Sequence, residues 1–286
     1  LPHPSVILKN LGASARKSLG QNFLVETGLT TTALDNFFTE KEWAEKGFLE
    51  IGPGLGAVTR LLLGKSRTVH VCEYDKMFAP FLKEEFPEIS EHIIQADFMD
   101  IPPEFWKERK ISLVVGNLPF YITSPIIIKI IRDMPFVEKA FLGIQWDYAS
   151  KLQEEKLSSI STFLKTMGDV VMIKKIPRGH FYPVPGVDAA WVGWVRNPGI
   201  PPDKVEQYEI FLRGVFWGKR KTLGNSLINN PHYPEYSFSA GWGDIVKKEK
   251  DISPDFFQKR PEDLTLDEMI HLFEKLENFP GNSGRI

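Results

Sequence analysis

Four groups of residues in this chain have the types and spacing to do chemistry together. The first is Glu50-Ile51-Gly52-Pro53-Gly54-Leu55-Gly56, whose glycines let the backbone turn tightly and approach a bound molecule closely. The second is Glu73, a carboxylate placed to accept both hydroxyls of a ribose. The third is Asp97, which can accept a hydrogen bond from an exocyclic amine. The fourth is Asn117-Leu118-Pro119-Phe120. Proline keeps Leu118 extended and brings no N–H of its own. The Asn117 side-chain oxygen and the Leu118 carbonyl can then accept both hydrogens of a planar NH2 group. Phe120 adds a face for a purine, and such stacking is worth ~1–3 kcal/mol.

An aromatic amine is a poor nucleophile because its lone pair is delocalised into the ring. Acceptors outside the ring plane favour a pyramidal nitrogen and return density to that lone pair. Attack on a sulfonium methyl then needs positioning and electrostatics rather than a strong base. NAD and S-adenosylmethionine both suit a glycine loop followed by a ribose-binding carboxylate. The dinucleotide fingerprint Gly-x-Gly-x-x-Gly is not met, because the third glycine, Gly56, comes one position early. Glu50 ahead of the loop suits a cationic ligand better than a diphosphate. S-adenosylmethionine is the expected cofactor. The bland readings are a plain strand–helix turn for the loop and an Asn-capped turn with a core Phe for the second motif.

These groups need elements to position them. Short apolar or β-branched runs predict strands over 47–51, 68–73, 92–95, 111–115 and 139–145. Helical spacing falls between them, over 55–63, 78–86 and 125–132. Such alternation implies an α/β fold with a doubly wound, mostly parallel sheet. Ligands bind beyond the carboxyl ends of such strands, which is where the four groups fall. A last strand is expected over 189–195. A Pro/Gly break over 197–202 then precedes segments of helical pattern, 205–216 and 264–276. The expected domains are 1–200, catalytic and Rossmann-like, and 201–286, small and helical. Residues 1–20 read as a basic surface arm.

Composition narrows the classes further. The chain has 286 residues, of which 42% are hydrophobic and 25% charged, as in ordinary globular proteins. Its one cysteine, Cys72, excludes an intrachain disulfide and any site built from several thiolates. Six scattered histidines show no metal-ligand spacing, so no metal is expected. No apolar run reaches 18 residues and no signal-peptide pattern is present, which fits a cytoplasmic protein without a membrane partner. Lys and Arg number 35 against 37 Asp and Glu, so contact with a polyanion must come from local clusters.

The residues resemble the small-subunit rRNA adenine N6,N6-dimethyltransferase family. Matching pieces include residues 16–24, with Gln21-Asn22-Phe23-Leu24, then Glu50 through Gly56, Glu73-Tyr74-Asp75, Gln95-Ala96-Asp97, Asn117 through Phe120, 181–188 and 219–223. The resemblance implies a seven-stranded methyltransferase sheet with a small helical C-terminal domain. It implies transfer of two methyls to N6 of each of two adjacent adenines in a hairpin near the 3′ end of small-subunit rRNA, within an immature ribosomal subunit. It also implies cofactor contacts from Gln21, Asn22, Leu24, Glu50, Gly52, Gly54, Gly56, Glu73, Asp97 and Asn117, with Asn117, Leu118, Pro119 and Phe120 at the reacting centre. Departures occur at Gln145-Trp146-Asp147, at 156–161, at Val187-Asp188-Ala189-Ala190-Trp191, and at Phe120, where Tyr is more common. The Lys and Arg absent from the first two segments would be expected near the RNA face.

RNA needs positive charge nearby. Candidates are Arg16 and Lys17 on the arm, Lys174, Lys175 and Arg178, and Lys219, Arg220 and Lys221. Phe181 and Tyr182 are candidates for stacking on a flipped base. A solvated face or core packing is the plain alternative for each. Lys247 and Lys248, interleaved with acids, read as solvated. The protein is expected to be a monomer. Two rival functions share the core: a large-subunit rRNA adenine N6-methyltransferase of the resistance type, and a non-catalytic RNA-binding assembly or transcription factor. The 181–188 loop and the 219–223 segment favour the small-subunit reading over the first, and intact Glu73, Asp97 and Asn117 oppose the second.

Overall fold

The computed structural model describes residues 2–16, 19–218, 220–228 and 253–277. The chain divides into two compact units, Leu1–Gln153 with Val170–Arg196, and Glu154–Asp169 with Asn197–Ile286.

The first unit carries a seven-stranded sheet and a two-stranded ribbon. In chain order the strands are β1 Phe23–Leu24, β2 Gly47–Ile51, β3 Val69–Glu73, β4 Ile93–Gln95, β5 Ile111–Asn117, β6 Lys139–Gln145, β7 Gly168–Ile176, β8 Phe181–Tyr182 and β9 Ala189–Arg196. The large sheet runs β4-β3-β2-β5-β6-β9-β7, and β1 pairs with β8. β2, β3, β4, β5 and β6 pair in parallel, while β9 is antiparallel to β6. Every residue of β2 and β3 is buried, as expected where helices cover both faces of a parallel sheet. The order reverses between β2 and β5. A crevice therefore opens beyond their carboxyl ends, where ligands bind in such sheets.

The core explains the high aromatic content. Trp43 stacks on Phe48 at 4.7 Å, Phe38 meets Phe48 edge-on at 5.2 Å, and Phe141 stacks on Trp191 at 4.6 Å. Trp191 donates its indole N–H to Thr30 Oγ1 at 3.0 Å, and both it and Trp194 are buried. These two tryptophans fill core space.

Two expectations change. Residues 4–10 are not a polar arm. Pro4–Asn10 is a helix, begun by a proline and capped by the His3 side chain, and its Ile7 and Leu8 join the core cluster of Phe23, Leu24 and Phe181. Ser14 and Arg16 do remain exposed. The helix Ser159–Met167 falls in the second unit, although it precedes residue 200. Its buried face packs on the helix Val205–Val215, and Thr166 Oγ1 is 2.9 Å from the Tyr208 hydroxyl. Tyr208 also meets Phe273 of the helix Leu266–Glu277 edge-on at 5.0 Å.

Candidate functional site

The glycine loop leaves β2 in a conformation that side chains resist. Gly52, Gly54 and Gly56 have φ of +65°, +57° and +81°. An L-residue held there costs roughly 1–2 kcal/mol. Space adds a second reason at two of them. A β-carbon on Gly54 would lie 3.0 Å from Phe23 Cδ1, and one on Gly56 only 2.5 Å from Phe86 Cε2. At Gly52 nothing lies within 4 Å of that position, so the loop is open where a ligand must approach. Gly56 is the N-cap of the helix Ala57–Leu63.

Glu73 ends β3 and fixes the same loop. Its Oε2 accepts the Gly54 N–H at 3.0 Å and its Oε1 accepts the Asp75 N–H at 2.7 Å. Lone pairs remain on both oxygens for ribose hydroxyls. Burial pushes its pKa up to about 7. Glu50, in β2, is fully buried and accepts a hydrogen bond from Thr59 Oγ1 at 2.6 Å. Burial, with the nearby Glu73 charge, pushes it up to about 8. Glu50 is therefore largely protonated at neutral pH, and a positive charge set against it would favour its anion. Asp97 follows β4, and its Oδ1 accepts the Met99 N–H at 2.8 Å.

The acceptor motif sits at the end of β5. Asn117 Nδ2 donates to the Asn22 carbonyl at 3.1 Å, which turns the side-chain oxygen toward the opposite side of the amide. Leu118 is buried and donates its N–H to the Gly143 carbonyl at 2.9 Å. The absence of a side chain at Gly143 makes this arrangement possible, since a β-carbon there would stand 2.9 Å from Asn117 Oδ1 and 2.8 Å from Trp191. The Pro119 carbonyl accepts from Ile122 N–H and Thr123 Oγ1, which starts the helix Thr123–Asp133.

A cavity of about 660 Å³ joins these parts. That volume suits one small molecule with room for an aromatic base. Gln21, Asn22, Leu24, Glu50, Gly52, Gly54, Glu73, Asp97 and Asn117 all line it, as do Leu118, Pro119 and Phe120. Gly56 does not, and its part is to cap the helix behind the loop. Phe181 is buried, pairs with Leu24 across the ribbon, and reaches the cavity wall. Tyr182 packs against His3 at 5.2 Å instead of lining the cavity.

The cationic candidates are dispersed. Arg16 pairs with Asp75 at 3.7 Å, and Lys175 with Asp188 at 3.0 Å while lying over the Trp146 ring. In the second unit Arg220 is exposed and Lys221 lies 3.6 Å from the Trp217 ring centroid. Lys17, Lys219, Lys247 and Lys248 lie outside the described residues. Among the described residues, no cluster of three or more His, Cys, Asp or Glu could hold a metal, and no helix is long and apolar enough to cross a membrane.

Three features escaped the sequence reading. Asp75 is buried and accepts from Gln21 Nε2 at 2.8 Å, which ties residue 21 to the end of β3. The Glu-x-Asp spacing of Glu73 and Asp75 was the available signal. Tyr74 and Tyr121 line the cavity while remaining largely exposed. Pro4 and Ile7 line it from the N-terminal helix, Pro2 and His3 from just before it, and no motif marked them.

Comparison with known proteins agrees with this geometry. Residues 12–240 match the model of the family described as ribosomal RNA adenine dimethylase. A ribosomal RNA small subunit methyltransferase A from a Geobacillus strain is 31% identical over 285 residues, covering 95% of each chain. The solved dimethyladenosine transferase of Plasmodium falciparum has the same fold, with a TM-score of 0.67, 21% identity and coverage of 89% and 98% of the two chains. The 23S rRNA methyltransferase ErmE superposes at a TM-score of 0.59 with 25% identity, covering 90% of this chain and all of that one. With the family model spanning most of the sequence and a relative aligned nearly end to end, this chain belongs to the ribosomal RNA adenine dimethylase family.

Proposed function

We propose that this protein uses S-adenosylmethionine to dimethylate N6 of two adjacent adenines in a hairpin near the 3′ end of small-subunit rRNA. The observation that carries the reading is the single cavity that Glu50, Glu73, Asp97 and Asn117 share, set at the reversal of strand order. The residues present fit the cofactor. Glu73 holds the ribose, Asp97 takes the adenine amine, and the open face at Gly52 admits the methionine part, with Glu50 as the counter-charge. When bound, S-adenosylmethionine supplies an electrophilic methyl on a sulfonium. The chain supplies the rest. Asn117 is locked by its bond to the Asn22 carbonyl, so its Oδ1 and the Leu118 carbonyl are set to accept from the target amine. Phe120, beside them on the wall, stacks the flipped purine. The reaction is then promoted by orientation and by the acceptors that localise the amine lone pair.

The relatives' alignment over 95% of the chain supports small-subunit rRNA as the substrate. The immature subunit as the form recognised, a monomeric enzyme and a cytoplasmic location belong to the same reading, as do a catalytic role for the first unit and RNA contact by the second, whose bounds are Glu154–Asp169 with Asn197–Ile286 rather than 201–286. The likeness to ErmE keeps the large-subunit reading as the rival. Immature small subunits incubated with methyl-labelled S-adenosylmethionine should yield N6,N6-dimethyladenosine, and Asn117→Ala should abolish the product. Label found only in large-subunit RNA would overturn the assignment in favour of the rival.

A further inference from the structure

Tyr121 directly follows the acceptor motif and Tyr74 directly follows Glu73. Their side chains are 61% and 56% exposed, yet both line the cavity. A single exposed aromatic needs no explanation. Here two line one cavity, which Asp97 lines as well, and the Tyr74 hydroxyl and the Asp97 carboxylate both act on the Tyr121 phenol. Burial and those two neighbours hold the Tyr121 phenol above its ordinary range, so it stays a neutral hydrogen-bond donor. Tyr121 Cδ1 also lies 3.5 Å from where a Gly20 β-carbon would stand, an ordinary contact distance, so the ring rests beside the Gly20 backbone.

The neighbours decide which base these rings serve. Asp97 and Glu73 mark the adenosine half of the cavity, at the ends of β4 and β3. Asn117 marks the acceptor half, at the end of β5. We infer that Tyr121 and Tyr74 form an aromatic clamp on the adenine ring of the methyl donor, so that Tyr121 sets cofactor affinity. This rests on the function proposed above. Phe120 serves the target base and the next residue serves the cofactor's base.

The test is calorimetric binding of S-adenosylhomocysteine and of 5′-methylthioadenosine, which lacks the amino-acid arm, to the full-length protein without RNA. Binding of S-adenosylhomocysteine by the wild type comes first, because its absence would overturn the proposed function before any variant is compared. Tyr121→Ala should weaken both ligands by the same factor, about tenfold, the scale of one lost base–aromatic stack. Tyr121→Phe should stay within about twofold of wild type, since the ring remains. Two results would overturn the clamp. One is unchanged S-adenosylhomocysteine affinity in Tyr121→Ala with a raised KM for RNA, which makes the ring an RNA platform. The other is a loss for S-adenosylhomocysteine but not for methylthioadenosine, which places the ring at the methionine end. Tyr121 is mostly exposed, so the melting temperature of Tyr121→Ala without ligand should match wild type.

Discussion

Replacing Glu50 by Gln should flatten two pH dependences at once. Glu50 is raised from 4.5 to about 8, first by burial and then by the neighbouring Glu73 charge. A tenfold change in proton affinity is worth ~1.4 kcal/mol, so the Glu50 carboxylate is about 5 kcal/mol less favourable in the folded protein than in the unfolded chain. The sign follows from linkage. Below about pH 4.5 the proton is bound in both folded and unfolded chains and there is no penalty. As pH rises from there to about 8, the unfolded chain ionises freely while the folded one does not, and stability falls. Gln cannot ionise and is isosteric, so the stability of Glu50→Gln relative to wild type should grow across that window. At ~2–4 °C per kcal/mol for a protein of this size, the gap in melting temperature should widen by about 10 °C between pH 5 and 8. A constant offset from the buried amide cancels in that difference. The cofactor side moves oppositely. A sulfonium near Glu50 favours the carboxylate, so S-adenosylmethionine binding should release protons, and wild-type affinity should rise by up to about tenfold per pH unit from 6 to 8. Titration calorimetry in buffers of different ionisation heats counts those protons. An affinity for S-adenosylmethionine flat from pH 6 to 8, with a melting-temperature gap that does not widen, would refute the role given to Glu50.

Gly143→Ala should lower kcat by about tenfold, because the new β-carbon would stand 2.9 Å from Asn117 Oδ1 and push it roughly half an ångström, and about an ångström of misplacement costs about 100-fold; S-adenosylhomocysteine binding should change far less. Gly56→Ala should cost about 3 kcal/mol in urea unfolding, combining left-handed strain with the clash against Phe86. Asp75→Asn should weaken S-adenosylhomocysteine about tenfold by loosening Gln21, on the scale of a lost hydrogen bond to a charged group. Arg16→Ala, which removes only a partner with 53% exposure, should do little to that affinity.

The sheet was legible because its central strands are buried on both faces and so read as unbroken apolar runs, as in 47–51 and 111–115. β7 carries no such signal. Most of its residues, Lys174 and Lys175 among them, are partly or fully exposed at the sheet border. The N-terminal helix was hidden for a different reason. It has seven residues, too few for a period to show, and it is held by packing of Ile7 and Leu8 rather than by propensity. At the site, the strand-end carboxylates and Asn117 could be read because parallel topology puts strand ends in one place. Tyr121 could not, since its place at the cavity, beside Gly20, brings together residues far apart in sequence and no motif marks it.

The segment from Arg16 to Leu24 explains why strand ends so far apart in sequence act as one site. Gln21 hangs from Asp75 beyond β3, the Asn22 carbonyl receives Asn117 from β5, and Leu24 pairs with Phe181 in the ribbon. Gln21 Oε1 also accepts the Arg16 N–H at 2.8 Å. One short stretch thus touches the ends of both β3 and β5. Each bond is modest alone, about 1 kcal/mol for a neutral pair and more where Asp75 is the acceptor. Their common effect is on geometry, because displacing Gln21 shifts the Asn22 carbonyl and with it the hydrogen bond that holds the Asn117 amide group. A variant that loosens the cofactor end should therefore lower the rate of transfer at saturating cofactor as well as the affinity, and Asp75→Asn separates this coupling from a pure binding loss through its kcat.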